Sequence, residues 1–117
     1  MNEDEEPTSA RTAVVTDPAV NRVTVLHIEH PVVHYDSWKA AFDSDPVGRA
    51  RRGVRRHRIL RGLDDPNFVM IDLEFDTPAE AAGLLDAMQT VWDRVAGVVV
   101  SSPRAVIVES VETQMYA

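Results

Sequence analysis

The chain has 117 residues, a formal net charge of −7 and no cysteine, and 44% of its residues are hydrophobic. This length suits one domain with a single core, and the lack of cysteine excludes a disulfide-rich secreted module, a thiolate metal site and a cysteine nucleophile. No apolar run approaches the roughly 20 residues that cross a bilayer, and the N-terminus is acidic, unlike a signal peptide, so we expect a cytoplasmic protein with no membrane partner.

The first part of the chain differs in composition from the rest. Residues 1–21 contain five acidic residues and one arginine, and their only apolar patch is residues 13–15. Such a segment buries too little apolar surface to fold, so we expect a disordered acidic tail that serves solubility or docks onto a basic partner. We expect residues 22–112 to form the folded domain and residues 113–117 to form a short C-terminal tail.

The first half of the domain predicts a strand followed by a helix. Residues 22–30 alternate β-branched and polar side chains, as a half-buried strand does. Aromatic and alanine residues then follow at helical spacing between Tyr35 and Phe42. Residues 46–53 can restart a helix, with Gly53 as a left-handed stop.

The second half predicts a hairpin, a helix and a last strand. Residues 54–62 and 68–75 flank a loop rich in turn formers, and residues 77–96 begin with a capping box and carry one apolar face. Residues 104–112 form the last strand. The order β-α-β-β-α-β predicts a four-stranded antiparallel sheet with two helices on one face, the ferredoxin-like arrangement.

The second face of this sheet is predicted to be too apolar to stay in water. Strand alternation divides the side chains of residues 68–75 between the two faces of the sheet. The entirely apolar set is expected under the helices, and Asp72 and Glu74 are then expected on the other face. That face also receives the residues we expect to line a ligand site: Val25, Phe68, Met70, Ile107 and Glu109. A second copy of the sheet would cover them and enclose a space between the two sheets.

Three segments resemble small bacterial proteins of the dimeric α/β-barrel superfamily, which includes the antibiotic biosynthesis monooxygenases. They are His34-Tyr35-Asp36-Ser37-Trp38-Lys39-Ala40-Ala41-Phe42-Asp43, Leu63-Asp64-Asp65-Pro66-Asn67 and Leu73-Glu74-Phe75-Asp76-Thr77. The resemblance implies a homodimer whose between-sheet cavity binds a small, often aromatic or polyketide-like molecule. Some relatives oxidise or isomerise it without metal or flavin, so no cofactor is expected. Haem-degrading relatives carry a histidine on the later helix, and residues 77–96 have none, which disfavours haem.

Two histidines are candidates for a general base. His27 shares the strand parity of Val25, and His57 lies beside the hairpin, so either one can face the space between the sheets with Asp72 or Glu74 as partner. The alternative is that these groups form inter-sheet hydrogen bonds or ion pairs with strand arginines. The register of residues 54–62 stays open, since the set with Arg56 and Arg58 and the set with His57 are equally amphipathic.

Other functions have weaker support in the sequence. Seven arginines fall within residues 49–61, but strand alternation divides the last four between two faces and no aromatic residue is interleaved, so nucleic acid is not expected as a partner. His27, His30 and His34 have helical spacing on a strand and make a weak metal site. Trp38 and Trp92 are expected in the core, with Trp92 at a ligand mouth as the alternative. Motifs for nucleotide binding, serine hydrolysis and zinc proteolysis are absent.

These observations predict a homodimer that binds a small hydrophobic or aromatic metabolite. If it is an enzyme, it is a cofactor-independent monooxygenase, cyclase or isomerase. The alternative is a non-catalytic ligand carrier or protein-interaction dimer.

Overall fold

A computed structural model describes residues 23–95 and 103–117 of the chain. Four strands and two helices lie in this part: β1 (Thr24–Pro31), α1 (Tyr35–Asp43), β2 (Arg56–Arg61), β3 (Phe68–Phe75), α2 (Pro78–Val95) and β4 (Arg104–Glu109). The predicted order β-α-β-β-α-β is confirmed. The predicted acidic tail and residues 98–102 lie outside the described residues. None of the helices in the described part is long and apolar enough to cross a membrane.

The four strands form one antiparallel sheet in the order β2-β3-β1-β4. The central β1 and β3 are paired so that Leu26 faces Leu73 and Ile28 faces Ile71 across the ladder. Because paired residues share a face, these four side chains form one apolar surface, and all four are buried. The predicted ferredoxin-like fold is therefore confirmed.

Both helices cover this apolar surface, which we call the helix-covered face of the sheet. Trp38 of α1 and the α2 residues Ala81, Leu84 and Trp92 are buried in the same core cluster as the strand residues. Removing a large side chain from water stabilises a fold by about 1.5–3 kcal/mol, so this cluster is the main source of stability. The opposite surface, which neither helix covers, is called the open face below.

The start of α2 has the predicted capping box. The backbone N–H of Glu80 donates to Thr77 Oγ1 at 3.2 Å, and the backbone N–H of Thr77 donates to Glu80 Oε1 at 3.2 Å. The two residues thus satisfy two backbone donors at the helix N-terminus that have no partner within the helix. This geometry fixes where the chain turns from β3 into α2.

The predicted helix over residues 46–53 is reduced to one 3₁₀ turn, Ala50–Arg52. Asp45 and Gly48 have φ angles of 54° and 70°, and these left-handed conformations interrupt a helical backbone. Asp45 Oδ1 accepts the backbone N–H of Arg49 at 2.9 Å, so the aspartate stabilises the turn locally. Gly53 has a φ of 101° and is the left-handed stop that the sequence predicts.

The register of β4 corrects two predicted ligand-lining residues. Ile107 pairs with Leu26 and Glu109 pairs with Thr24, so both lie on the helix-covered side of the sheet. Val106 and Val108 occupy the open face instead. Both sets of β4 side chains contain large apolar groups, and a strand with two apolar sets gives no periodic signal that distinguishes one register from the next.

The register of β2 resolves the alternative that the sequence leaves open. Arg56 pairs with Glu74 and Arg58 pairs with Asp72, so both arginines lie on the open face. His57 pairs with Leu73 and therefore lies on the helix-covered side, where its ring meets Phe42 edge-on at a centroid distance of 5.2 Å. Of the two registers that the sequence leaves open, the structure therefore has the one with Arg56 and Arg58 on the open face, and His57 does not face a space between two sheets.

Candidate functional site

A cavity of about 280 Å³ lies between the sheet and the two helices. Strands β1 and β3 and both helices line it, chiefly with apolar side chains: Ile28, Trp38, Phe42, Ile71, Leu73, Leu84, Met88, Val91 and Trp92. An apolar cavity of this size with a few polar groups is typical of a site for a small molecule. It lies on the opposite side of the sheet from the space that the sequence predicts.

His30 is the titratable side chain that β1 contributes to this cavity. Its side chain lies on the same face of β1 as those of Leu26 and Ile28, because every second residue of a strand faces the same side. It therefore lies beneath the helices and is 2% exposed. Burial lowers its pKa, and the hydrogen bond to the Pro31 carbonyl offsets this only in part. His30 is therefore neutral at neutral pH.

The hydrogen bond to Pro31 also indicates which ring nitrogen of His30 carries the proton. Its Nδ1 lies 3.1 Å from the Pro31 carbonyl oxygen, and a carbonyl only accepts, so Nδ1 carries the hydrogen. In the neutral ring Nε2 is then unprotonated, and it has no hydrogen-bond partner among the described residues. A neutral imidazole with a free lone pair can accept a proton or a hydrogen bond from a ligand.

The remaining polar lining of the cavity is Ser44, Arg49 and Arg94. Arg49 is held in place: its guanidinium lies 3.8 Å from the centroid of the Phe42 ring, and its Nη1 donates to the Phe42 carbonyl at 2.8 Å. The indole rings of Trp38 and Trp92, the only two tryptophans of the chain, complete the walls. Both are buried as predicted, and both also line the cavity.

The open face carries a second group of polar residues, centred on His27. Its Nδ1 donates to Asp72 Oδ1 at 2.6 Å, and its Nε2 donates to Glu29 Oε1 at 3.0 Å. Both nitrogens can donate only in the protonated ring, and the hydrogen bonds that His27 donates to Glu29 and Asp72 raise the pKa of His27 accordingly. His27 is therefore an ion-pair partner here.

Arginines extend this group across the open face. Arg58 Nη2 lies 3.4 Å from Asp72 Oδ2, and Arg56 donates twice to Glu74 Oε2, from Nε at 3.1 Å and Nη2 at 2.8 Å. Beyond β1, Arg104 Nη1 lies 3.9 Å from Glu29 Oε2. Of the alternatives that the sequence leaves open, the one in which a strand arginine pairs with Asp72 or Glu74 is the one observed, at both carboxylates.

The structure brings together only part of the predicted site. His27, Asp72 and Glu74 share the open face with the half-buried Val25, Phe68 and Met70, and their roles there stay predictions. His57, Ile107 and Glu109 lie on the other side of the sheet. In the described parts of the chain, no group of three or more acidic or histidine side chains is placed to hold a metal ion.

Sequence reasoning missed Glu29 as a partner of His27 and His30 as a cavity residue. Both signals were present in the strand alternation. Glu29 is two residues from His27 and so shares its face, whereas His30 has the parity of Leu26 and Ile28 and so belongs to the core side. A histidine among buried aliphatic residues marks a polar position in an apolar environment, which is a signal for a site.

Comparison with solved structures supports the fold. SnoaB, a cofactor-independent oxygenase from Streptomyces nogalater, is similar with a TM-score of 0.58 and 17% identity, over 80% of this chain and 96% of that one. A monooxygenase from the gene ActVA-Orf6 of Streptomyces coelicolor, in complex with the ligand nanaomycin D, gives a TM-score of 0.58 and 13% identity, over 90% and 100%. A dimeric ferredoxin-like protein from an uncultured marine organism gives 0.56 and 9%, over 80% and 99%.

At these identities the likeness shows the fold alone. It confirms that the chain shares the fold of these proteins. No family model matches the sequence, and no curated protein matches it.

Proposed function

We propose that this protein binds a small, largely aromatic metabolite in the cavity between the sheet and the helices, and that His30 accepts a proton from it. The observation that carries the proposal is a buried, neutral histidine in the lining of an apolar cavity of about 280 Å³. The apolar walls supply the affinity for a ring system, and the few polar groups supply its orientation.

Proton transfer in this site starts at an acidic O–H or C–H group of the ligand. Nδ1 of His30 is held by the Pro31 carbonyl, which leaves the Nε2 lone pair as the acceptor. General base catalysis of this kind contributes about 10²–10⁴-fold to a rate. His27 is less suited to this role, because Asp72 and Glu29 already occupy both of its nitrogens.

The reaction class we favour is a cofactor-independent monooxygenation. The deprotonated ligand gives electrons to dioxygen. A CH2 group of the ligand becomes a carbonyl that contains one oxygen atom of O2. The other oxygen atom leaves as water together with the two hydrogens of that CH2 group. The cofactor-independent oxygenase and the monooxygenase of the same fold support this choice. A cyclase or isomerase would use the same proton step without dioxygen.

The open face is proposed to pair with a second copy of the chain. It combines the apolar Val25, Met70 and Val106 with the charged groups around His27, and the like-folded marine protein is described as dimeric. Both signs of charge lie side by side on this face, so a second copy can be accommodated without like-charge contacts. The absence of cysteine fits the reducing cytoplasm, where we place the protein.

The test uses two alanines of α1. Ala41 lines the cavity and Ala40 does not, and both are exposed, so Ala41→Phe should obstruct the cavity while Ala40→Phe adds the same ring elsewhere on the helix. Titration calorimetry with 2-naphthol should show binding by the wild type and by Ala40→Phe, and binding at least tenfold weaker by Ala41→Phe. Equal affinity in the two variants would contradict the location of the site.

The alternative of a non-catalytic carrier uses the same cavity. It predicts that bound ligand is released unchanged, with no dioxygen consumed. Measuring oxygen uptake by the wild type in the presence of a ligand distinguishes a carrier from an enzyme.

A further inference from the structure

Among the described residues that line the cavity, the charged side chains have one sign. Two of the four polar side chains in this part of the lining are arginines, Arg49 and Arg94, and the other two are His30 and Ser44. No aspartate or glutamate is among the described lining residues. This is unusual for a chain with a net charge of −7, in which acidic residues outnumber basic ones.

Arg49 is a preorganised cation. Its side chain is 17% exposed, and it is fixed by the face of the Phe42 ring at 3.8 Å and by the Phe42 carbonyl at 2.8 Å. The nearest described carboxylate, Asp45, approaches Nη1 at 3.4 Å through Oδ1, which also accepts the backbone N–H of Arg49. Asp45 therefore offsets the charge of Arg49 only in part, and the described hydrogen bonds of the guanidinium involve Nη1 alone.

Arg94 supplies the second cation, from α2. It lies near the end of α2 and is exposed, and because it also lines the cavity, the cavity reaches solvent beside it. A ligand that enters there passes an arginine before it reaches the rings of Trp38 and Trp92. An arginine donates several N–H groups in a planar fork that matches a carboxylate.

The positive charges near the cavity also lower the pKa of a neighbouring histidine, His57. The pKa of His57 is lowered by burial and then by the charges of Arg49 and Lys39, while Asp43 opposes them. Lys39 Nζ is paired with Asp43 at 2.7 Å, so Arg49 is the less compensated of the two cations. The field near the cavity thus disfavours a further positive charge.

We infer that the ligand of this cavity is an aromatic anion, a carboxylate or a phenolate, whose negative group is held by Arg49 and Arg94 while its rings lie against Trp38 and Trp92. The inference rests on the proposed cavity site and adds the charge class of the ligand. An anion is favoured because Arg49 lies largely buried in a mostly apolar surrounding, where a charge-assisted hydrogen bond is stronger than in water, and because the exposed Arg94 adds a second positive charge to the lining. Arg49 and Arg94 are then the residues that determine specificity.

The test compares two probes of the same shape and different charge, 2-naphthoate and 2-naphthamide. Titration calorimetry at low ionic strength should show that the wild type binds 2-naphthoate about tenfold more tightly than 2-naphthamide. Arg94→Gln should reduce this ratio severalfold and leave the affinity for 2-naphthamide unchanged. Arg49→Gln should reduce the ratio as well, and Arg94→Gln carries the test if loss of the Phe42 contacts unfolds the Arg49 variant.

Arg55→Gln is the matched control. It removes the same charge as Arg94→Gln, but Arg55 is 65% exposed and lies outside the cavity. It should keep the wild-type ratio. Equal affinity of the wild type for the two probes would overturn the charge selectivity, and an affinity ratio unchanged by Arg94→Gln would overturn the role given to Arg94. Neither result would by itself contradict the cavity site. Binding of neither probe, together with equal binding of 2-naphthol by Ala41→Phe and Ala40→Phe, would overturn the proposed function as well.

Discussion

The ring of His30 meets the indole of Trp38 edge-on, with centroids 6.0 Å apart and planes inclined at 68°. This contact joins β1 to α1 at the wall of the cavity. The Trp38 side chain therefore belongs both to the packed core and to the candidate site. An edge-to-face contact fixes the plane of the imidazole. The orientation of the proposed base is therefore set by packing as well as by the hydrogen bond to Pro31.

Replacing His30 should slow turnover more than it weakens ligand binding. With 1,8-dihydroxyanthrone as the probe, oxygenation consumes one dioxygen and gives 1,8-dihydroxyanthraquinone and water. His30→Gln keeps a polar side chain of similar size but removes the base, so we expect at least a tenfold slower oxygen uptake at neutral pH, within the range of general base catalysis. An oxygen electrode and the absorbance of the quinone measure the rate.

The control for this variant is His34→Gln. His34 is exposed, precedes α1 and does not line the cavity. Uptake that falls equally in the two variants, or not at all in His30→Gln, would contradict the role of His30. Binding without any uptake by the wild type would favour the carrier.

The ion pairs of His27 should make stability depend on pH in a defined direction. Hydrogen bonds that His27 donates to Glu29 and Asp72 raise the pKa of His27 above 6.5 in the folded chain. The stabilisation is then fully present below pH 6.5 and is lost as the pH rises through the higher folded pKa. Chemical denaturation should show His27→Gln less stable than the wild type by about 1 kcal/mol near pH 6, with a difference that shrinks at higher pH.

His34→Gln serves again as the reference, since its imidazole is exposed. His30 and His57 have lowered pKa values and act in the opposite direction, which is why the difference between the wild type and His27→Gln is the quantity to compare. A difference that is constant across this pH range would show that the His27 pairs contribute nothing measurable.

The proposed self-association depends on the open face. Val106 is 50% exposed on that face and Val33 is 61% exposed in the loop after β1, so the two valines form a matched pair. Val106→Lys places a charge in the proposed interface and should shift the mass in sedimentation equilibrium from dimer to monomer, whereas Val33→Lys should not. A wild type that is monomeric at micromolar concentration would contradict the dimer.

Replacing each of two glycines by alanine should change the free energy of unfolding in opposite directions. Gly53 has a φ of 101°, and an added Cβ would lie 2.6 Å from Glu80 Oε2, so Gly53→Ala should lower the free energy of unfolding by about 1 kcal/mol or more. Gly83 lies within α2 with open space around it, so Gly83→Ala should raise that free energy by up to about 1 kcal/mol. Denaturation midpoints of the two variants check both signs.

The sequence predicted the elements whose signals are local. The bounds of β3, the capping box of Thr77 and Glu80, and the stop at Gly53 follow from alternation, hydrogen bonding and a left-handed backbone, and all three are confirmed. The order of the elements then determined the sheet and the side that the helices cover.

The candidate site was predicted less well because it depends on relations between strands. The face of Ile107 and of His57 depends on the register against a neighbour, and a shift of one residue exchanges the two faces. The cavity depends on how far two helices stand from the sheet, which no periodicity reports. His30 has the parity of a core residue, but its spacing from His27 and His34 indicates only a weak metal site.

The central claim is that the ligand lies between the sheet and the helices, with His30 as its proton acceptor. A crystal structure of the protein grown with 2-naphthol tests it most directly. The account predicts ligand density between Trp38 and Trp92, with the ligand oxygen within about 3 Å of His30 Nε2. Density confined to the open face beside His27, or a cavity filled by shifted side chains, would contradict it.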